Sequence, residues 1–291
     1  MKLFPGITRG MIRIFSILPL AALYPLAHGM YFIIYYLVGY RRKVTYSNIH
    51  HAFPGLTVNE IRKIEKKFYR NLCDLVVEFI RIPSLGRETL RARVKFLNPG
   101  ILDEYYKTGQ SVIAIGTHTS NWEWGGLALS LASKHTVLGI YKPLRSTTWN
   151  ELFKDYRSRY GLVPVAIKSV SRALLQFKDV PVILTLISDQ SPAWSEADYF
   201  TPFLGREVPV HSGAGKLAVR SGYPVIYFAM RRIKQGYYEV EIIPYGVADD
   251  AGRLTQWHTQ LLENQIRRSP ADWLWSHRRW KHAGRKKEIV T

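Results

Sequence analysis

His118 and Glu123 are the residues whose types and spacing best fit acid–base chemistry. They lie in Ile115-Gly-Thr-His118-Thr-Ser-Asn-Trp-Glu123, where an apolar run ends and a helical pattern begins. Sites in open α/β sheets form at the carboxyl ends of strands. Across a tight turn, this spacing can bring the carboxylate to the imidazole, where it fixes the tautomer and stabilises the imidazolium. Such a pair can remove the proton of a hydroxyl group as that group attacks an acyl carbon.

A purely structural interpretation of the same residues is that His118 caps the helix and Glu123 compensates its dipole. Composition and spacing leave both interpretations open. A zinc site is disfavoured, because two His at one-turn spacing are missing and Cys73 is the single cysteine. Ser212-Gly-Ala-Gly-Lys216 lacks the upstream glycine of a phosphate loop. We therefore expect neither a metal nor a cofactor.

The elements that must position this motif alternate along the chain. Short β-rich runs at 111–116, 136–141, 162–167 and 181–188 are separated by helical patterns, one of which begins near Trp122. Two further strands, 224–232 and 237–244, are joined through Lys234-Gln-Gly236 as an antiparallel hairpin, with helices near 215–220 and 254–268. This alternation predicts an α/β fold with a mostly parallel sheet flanked by helices.

The N-terminal part reads as a membrane anchor. Residues 14–40 carry no Asp, Glu, Lys or Arg, and this run exceeds the about 20 residues that span a bilayer. Pro19 and Pro25 predict a broken helix or an in-plane anchor. The flanking charges, Lys2, Arg9 and Arg13 against Arg41, Arg42 and Lys43, give no orientation. We predict an anchor at 1–45 and a catalytic domain at 46–291.

A strongly basic balance points to anionic partners. The net charge of +19 suits nucleic acid, anionic lipid or an acidic carrier protein. Thr57 and Glu60 form a capping-box pattern that opens an amphipathic helix. Its polar face carries Arg62, Lys63, Lys66, Lys67 and Arg70, which fits either contact with anionic lipid or a solvated surface.

Five ordered motifs resemble those of one family. His118-Thr-Ser-Asn-Trp-Glu123 resembles the His-x4-Asp/Glu motif of the lysophospholipid acyltransferase superfamily, and its Asn-Trp-Glu ending resembles the lipid A biosynthesis (lauroyl/myristoyl) branch. The other matches are Arg42-Lys-Val-Thr-Tyr-Ser-Asn48 with Ala52-Phe-Pro54, Arg157-Ser-Arg159-Tyr-Gly161, Asp189-Gln190 with Pro202-Phe-Leu-Gly205, and Pro270-x-x-Trp273-x-Trp275-x-His277-Arg-Arg-Trp-Lys281. Thr119-Ser120 departs from the more usual aromatic–Gly pair.

The resemblance implies an acyltransferase fold in which His118 is the general base and Glu123 its partner. It implies an acyl-acyl carrier protein as donor and a hydroxyl group on a lipid A precursor as acceptor. Substrate contacts are implied for six residues: Asn121, Lys142, Arg157, Arg159, Asp189 and Gln190. The protein would be a monomer at the inner membrane, with its catalytic domain on the cytoplasmic side, and would not bind nucleic acid.

Two alternatives stay open. The acceptor could be another membrane lipid, either an aminolipid or a glycerophospholipid. The Pro-Glu-Gly-Thr segment typical of the glycerophosphate branch does not occur here, which disfavours that acceptor alone. From a different class, the chain could be a non-catalytic basic protein bound to the membrane, in which case replacing His118 would leave function intact.

Overall fold

The computed structural model describes residues 4–284, with side chains from residue 10 onward. The α-helices are α1 (Phe4–Ile17), α2 (Leu20–Phe32), α3 (Arg42–Ala52), α4 (Val58–Arg81), α5 (Arg87–Arg93), α6 (Gly100–Lys107), α7 (Trp122–Ala132), α8 (Thr147–Arg157), α9 (Val170–Gln176), α10 (Gly213–Ser221) and α11 (Ala251–Arg268). The strands are β1 (Val94–Phe96), β2 (Val112–Gly116), β3 (Thr136–Tyr141), β4 (Val163–Ala166), β5 (Val182–Ile187), β6 (Tyr199–Phe203), β7 (Arg206–Val210), β8 (Pro224–Lys234) and β9 (Tyr237–Val247). A π-helical turn spans Ile33–Val38, and single 3-10 turns include Arg159–Gly161 and Pro270–Asp272.

Seven strands form one mostly parallel sheet in the order β1-β9-β8-β2-β5-β3-β4. All neighbouring pairs are parallel except the β8–β9 hairpin. β2 lies at the centre, and its Val112, Ile113, Ala114 and Ile115 are fully buried because helices cover both faces. The predicted α/β class is confirmed.

Three strands were not anticipated from the sequence. β6 and β7 form a separate antiparallel pair, and Pro202 and Pro209 within them obscure the strand pattern because proline cannot donate to a ladder. The turn between them uses Leu204 and Gly205, both with positive φ. β1 is only three residues long and pairs with β9 at the edge of the main sheet.

The N-terminal helices pack against the side of α4. α1 and α2 are separated at Pro19, as the prolines predict, whereas Pro25 lies inside α2 without ending it. Within the described residues, Leu20–Val38 is the one helical stretch long and apolar enough to cross a membrane. Its Leu23 and Tyr35 are buried, while the exposed surface includes Leu37 and Val38.

The predicted division into an anchor and a catalytic domain at residue 45 stays a prediction. Side chains from both sides of that boundary belong to one apolar cluster. Residues 1–3 of the predicted anchor and 285–291 of the predicted catalytic domain lie outside the described residues, as does Lys2 among the flanking charges. α4 begins with the predicted capping box: Thr57 and Glu60 exchange side-chain-to-backbone hydrogen bonds.

Candidate active site

Two adjacent strand ends bring the central side chains of the site together. β2 and β5 run parallel and side by side, and the Ser188 N–H donates to the Gly116 carbonyl oxygen at 3.2 Å as they end. His118 and Asp189 each follow two residues after these strands. The carboxyl ends of parallel strands meet at one edge of the sheet, so the imidazole and the carboxylate face each other.

His118 forms its hydrogen bond with Asp189. The ring Nδ1 lies 2.7 Å from Asp189 Oδ1, which assigns the Nδ1–H tautomer, in which the other ring nitrogen can act as a base. Nε2 is 3.4 Å from the Gln190 amide nitrogen, a long contact that a substrate hydroxyl can replace. The side chain of His118 is 18% exposed and that of Asp189 is 2% exposed, so only the imidazole is open to a substrate.

His118 and Asp189 each stabilise the ionised form of the other. Burial alone would lower the pKa of His118, but the charge and hydrogen bond of Asp189, together with the field of Glu123, raise it above its ordinary value. Burial would raise the pKa of Asp189, but interaction with His118 and two further hydrogen bonds bring it down to about 2. Asp189 is therefore ionised throughout the working pH range.

Asp189 is anchored by three donors. Oδ1 faces the imidazole, while Oδ2 accepts hydrogen bonds from the His118 backbone N–H at 3.0 Å and from Trp273 Nε1 at 2.8 Å. With both oxygens used, the carboxylate cannot rotate without breaking several charge-assisted bonds. The orientation of the imidazole follows from that rigidity.

The predicted contact between His118 and Glu123 is wrong in its geometry. Glu123 lies in the first turn of α7 and accepts two hydrogen bonds from the Arg157 guanidinium, at 2.9 and 2.5 Å. The two oxygens are held by that fork at the end of α8, while Asp189 occupies the position beside the ring. Glu123 acts on His118 only through its field, and the hydrogen-bonded partner is Asp189.

The loop between β2 and α7 is held in place by the C-terminal segment 269–281. The Ser120 N–H donates to Asp272 O at 2.8 Å, and the Leu274 N–H donates to His118 O at 3.1 Å. Ser120 has a φ of 54°, a conformation that a serine adopts only when its surroundings impose it. Asn48 of α3 fixes the same segment by donating to the carbonyl oxygens of Trp275 and His277 at 2.8 Å each.

Asn121 ties the loop to α4 and faces away from the open side. Its Oδ1 accepts from the Trp124 N–H at 2.9 Å and so caps α7, while its Nδ2 donates to Glu78 at 2.6 Å. Glu78 is fully buried and also accepts hydrogen bonds from Tyr24 at 3.0 Å and Tyr238 at 2.7 Å. Burial raises the pKa of Glu78 to about 7. Asn121 thus supports the loop, and its predicted contact with substrate stays untested.

The remaining predicted residues make contacts of their own away from the imidazole. Arg157 is already paired with Glu123, so its charge is not free for a phosphate. Arg159 lies beside the Tyr160 ring, and its buried Nε forms no hydrogen bond with any residue of 4–284. Lys142 is 75% exposed and lies 3.6 Å from Glu196.

Sequence reasoning missed Glu78, and it included Asn48 and Trp273 only as parts of family motifs, without their roles. Glu78 interrupts the apolar face of α4 and Asn48 stands in a polar helix, so neither shows a local signal for a partner far along the chain. Trp273 belongs to the C-terminal motif and was read only as part of a signature. In the part of the chain that the structure describes, no group of three His, Cys, Asp or Glu side chains is placed to hold a metal ion.

Comparison with known sequences identifies the family. The sequence model of the bacterial lipid A biosynthesis acyltransferases matches residues 6–282. The chain belongs to this family. The lipid A biosynthesis lauroyltransferase of Escherichia coli K12 is 21% identical over 277 residues, which cover 91% of this chain and 87% of that protein. The palmitoleoyltransferase of the same organism is 22% identical over 253 residues, covering 83% and 79% respectively.

The structure shows why the motifs of this lipid A acyltransferase family member are spread along the whole chain. The post-anchor segment supplies Asn48, which holds the C-terminal segment. That segment supplies Trp273, which holds Asp189, and Asp189 in turn holds His118. Arg157 of the basic motif holds Glu123. The post-anchor segment, the C-terminal segment, Asp189 and His118 therefore form one connected set of hydrogen bonds, and the Arg157–Glu123 pair acts on the imidazole through its charges.

Proposed function

We propose that this protein transfers a fatty acyl group from acyl-acyl carrier protein to a hydroxyl group of a lipid A precursor, with His118 as general base. The observation that carries the proposal is the buried Asp189 carboxylate bonded to Nδ1 of an imidazole whose other nitrogen is open. Membership of the lipid A acyltransferase family supports the reaction class.

In the proposed reaction, Nε2 of His118 takes the proton of the acceptor hydroxyl as its oxygen attacks the thioester carbonyl carbon. Asp189 stabilises the imidazolium that forms, because its charge lies 2.7 Å from Nδ1. When the tetrahedral intermediate collapses, the carbon–sulfur bond breaks and His118 returns the proton to the leaving thiolate. A new ester and a free carrier thiol result, and the enzyme ends in its starting state.

Glu123 and Arg157 have a supporting role in this proposal. The carboxylate of Glu123 adds to the raised pKa of His118, and Arg157 partly opposes it. The fork between them also fixes the start of α7 to the end of α8. The positive end of the α7 dipole begins at Trp122, close to the base, and favours negative charge on the substrate oxygen.

A small, mostly apolar cavity borders the loop that carries His118. A cavity of about 80 Å³ is bordered by Thr117, Thr119 and Trp122 from the His118 loop. Further in, its walls come from Phe228 and Met230 of β8 and from other apolar side chains of the sheet. Gly125 and Gly126 of α7 keep it open, because a Cβ at Gly125 would lie 3.1 Å from Met230 Sδ. We propose that the donor chain enters here.

The proposed partners follow from charge and the apolar helix. A net charge of +19 favours an acidic carrier protein and a phosphorylated lipid. Lys142 and Arg159 are proposed to meet anionic groups of the substrates, and Gln190 to orient the acceptor hydroxyl. The Leu20–Val38 helix would hold the protein at the inner membrane with the site on the cytoplasmic side.

Replacing His118 by alanine tests the proposal. With purified acyl carrier protein carrying a labelled acyl chain and a lipid A precursor in mixed micelles, the rate of transfer should fall by at least about 10²-fold. Membrane association and thermal unfolding should match those of the wild type. Retained transfer would refute the base assignment, and mass spectrometry showing acylation of an aminolipid or glycerophospholipid instead would replace the acceptor.

A further inference from the structure

A groove lined by more cations than acids lies apart from His118. It has a volume of about 490 Å³ and runs between α4, the tip of the β8–β9 hairpin and the segment 268–272. We call it the basic groove and define it by its charged lining residues: Lys63, Lys67, Arg232, Lys234, Arg268 and Asp272. His118, Glu123 and Asp189 do not line it.

Four of the five cations in the basic groove form no ion pair within the part of the chain that the structure describes. Within residues 4–284, neither Lys63, Lys67, Lys234 nor Arg268 takes part in an ion pair. Other surface lysines, Lys107 and Lys178 among them, also form no ion pair within the described residues. The four groove cations are distinguished because they line one cavity. Like charges gathered around one cavity repel each other, and a bound anion relieves that repulsion.

The single acid in the groove is already engaged. Asp272 Oδ1 accepts a hydrogen bond from Asn71 Nδ2 at 2.9 Å. Burial raises the pKa of Asp272, although Arg232 and Lys67 oppose the shift. The lining still has an excess of positive charge, because five cations face this one carboxyl group.

The floor of the groove is rigidly built. Arg232 donates to Asp74 Oδ2 at 2.5 Å and to Asn71 Oδ1 at 2.6 Å, and its side chain is only 11% exposed. Gln235 donates to the other Asp74 oxygen at 2.8 Å. These bonds fix α4 and the hairpin at a constant separation, so the cations on the rim converge on a preformed space.

The two elements that form the walls, α4 and the β8–β9 hairpin, also contact the apolar helix α2 through residues next to those that line the groove. On α4, Arg70 lies over the Tyr31 ring at 5.2 Å. At the hairpin tip, a Cβ on Gly236 would overlap the Tyr24 hydroxyl, so the tip lies directly against α2. Ile233 on the groove lining is 51% exposed. A ligand in the groove therefore lies beside the stretch that is apolar enough to enter a bilayer.

We propose that the basic groove binds the phosphate group of an anionic membrane lipid. Lysine and arginine around a preformed polar space suit a phosphate, and the adjacent apolar helix places such a group at headgroup depth. The groove and the site share the C-terminal segment, in which the Asp272 carbonyl oxygen accepts from the Ser120 N–H. Lys67 and Lys234 do not line the cavity beside the His118 loop, so phosphate binding can be tested apart from catalysis.

The test uses the full-length protein in micelles of a neutral detergent, titrated calorimetrically with dihexanoyl phosphatidic acid. The variant Lys67→Glu/Lys234→Glu changes two exposed, unpaired side chains on opposite walls of the groove. The control, Lys107→Glu/Lys178→Glu, makes the same change in net charge near the amino ends of β2 and β5, at the other end of the strands from the hairpin tip, where both lysines are exposed. The groove variant should bind at least about tenfold more weakly, and the control within about twofold of the wild type.

Three results would overturn the proposal: unchanged binding by the groove variant, equal loss in the control, or inorganic phosphate binding as tightly as the lipid. The last result would identify a free-phosphate site. Dihexanoyl phosphatidylcholine should not compete, and strong competition by it would equally count against a phosphate-led site. His118→Ala should bind like the wild type, and because no acyl donor is present, the outcome is independent of the proposed acyl transfer.

Discussion

Asp189→Asn keeps the size of the side chain beside His118 and removes its charge. The three hydrogen-bond donors that surround the carboxylate determine how the asparagine side chain is oriented. Oδ2 accepts from both the His118 backbone N–H and Trp273 Nε1, so the amide oxygen of asparagine must occupy that position. The amide NH₂ then replaces Oδ1 and points at Nδ1 of the imidazole.

This exchange inverts the tautomer of His118. An NH₂ group at 2.7 Å can only donate to Nδ1, which forces the remaining proton onto Nε2, where the base should be free. The imidazolium also loses its counter-charge. Inversion of the tautomer in a serine protease triad lowers kcat by about 10⁴-fold. For Asp189→Asn we expect a fall in kcat of roughly 10³- to 10⁴-fold, which is about 4–5.5 kcal/mol of transition-state stabilisation.

Glu123→Gln is the matched control, because Glu123 makes no hydrogen bond to the ring. We expect the kcat of Glu123→Gln to fall by about tenfold or less, since the substitution changes only the negative charge near His118 and the ion pair with Arg157. Single-turnover transfer from labelled acyl-acyl carrier protein measures the chemical step in both variants. Thermal unfolding shows whether each variant is folded.

The pH profile gives a second readout. Asp189 raises the pKa of His118, and a base works only when unprotonated, so wild-type activity falls as the pH drops through that raised pKa. Without the carboxylate, burial dominates and lowers the pKa, which moves the acid limb of any residual activity to lower pH. If Asp189→Asn keeps more than a tenth of the activity while Glu123→Gln is inactive, the assignment of Asp189 is refuted.

Two further predictions concern the surroundings of the site. Glu78→Gln should flatten the dependence of the free energy of unfolding on pH. In the wild type, burial raises the pKa of folded Glu78 to about 7, so its protonated form contributes its full stabilisation below pH 4.5. That contribution, roughly 3 kcal/mol, is lost as the pH rises through 7. Thermal unfolding between pH 4.5 and 8 measures this, and parallel profiles for both proteins would contradict it. Replacing the exposed Ile33, Leu37 and Val38 by asparagine should shift the protein out of the membrane fraction while leaving its unfolding temperature in detergent unchanged, because these side chains are about half or more exposed. An unchanged membrane fraction would show that the helix is not the anchor.

Local sequence patterns predicted most of the elements. Residue types at short spacing predicted the capping box at Thr57, the buried run of β2 and the β8–β9 hairpin. The structure contains each of them. His118 was placed correctly at a strand end for the same reason. The β6–β7 pair was not foreseen, because prolines mask its alternation.

The partner of the base required the fold. Glu123 is near His118 in the chain, but its direction is set by Arg157, which approaches from α8. Asp189 is 71 residues away from His118 along the chain and meets it because β5 pairs with β2. The sequence by itself determined the α/β class, the apolar N-terminal helix and the position of His118 at a strand end, since each depends on neighbours within a few residues. Only the tertiary structure decided which carboxylate orients the imidazole and how the C-terminal segment holds the loop, because strand order and packing control contacts between distant parts of the chain.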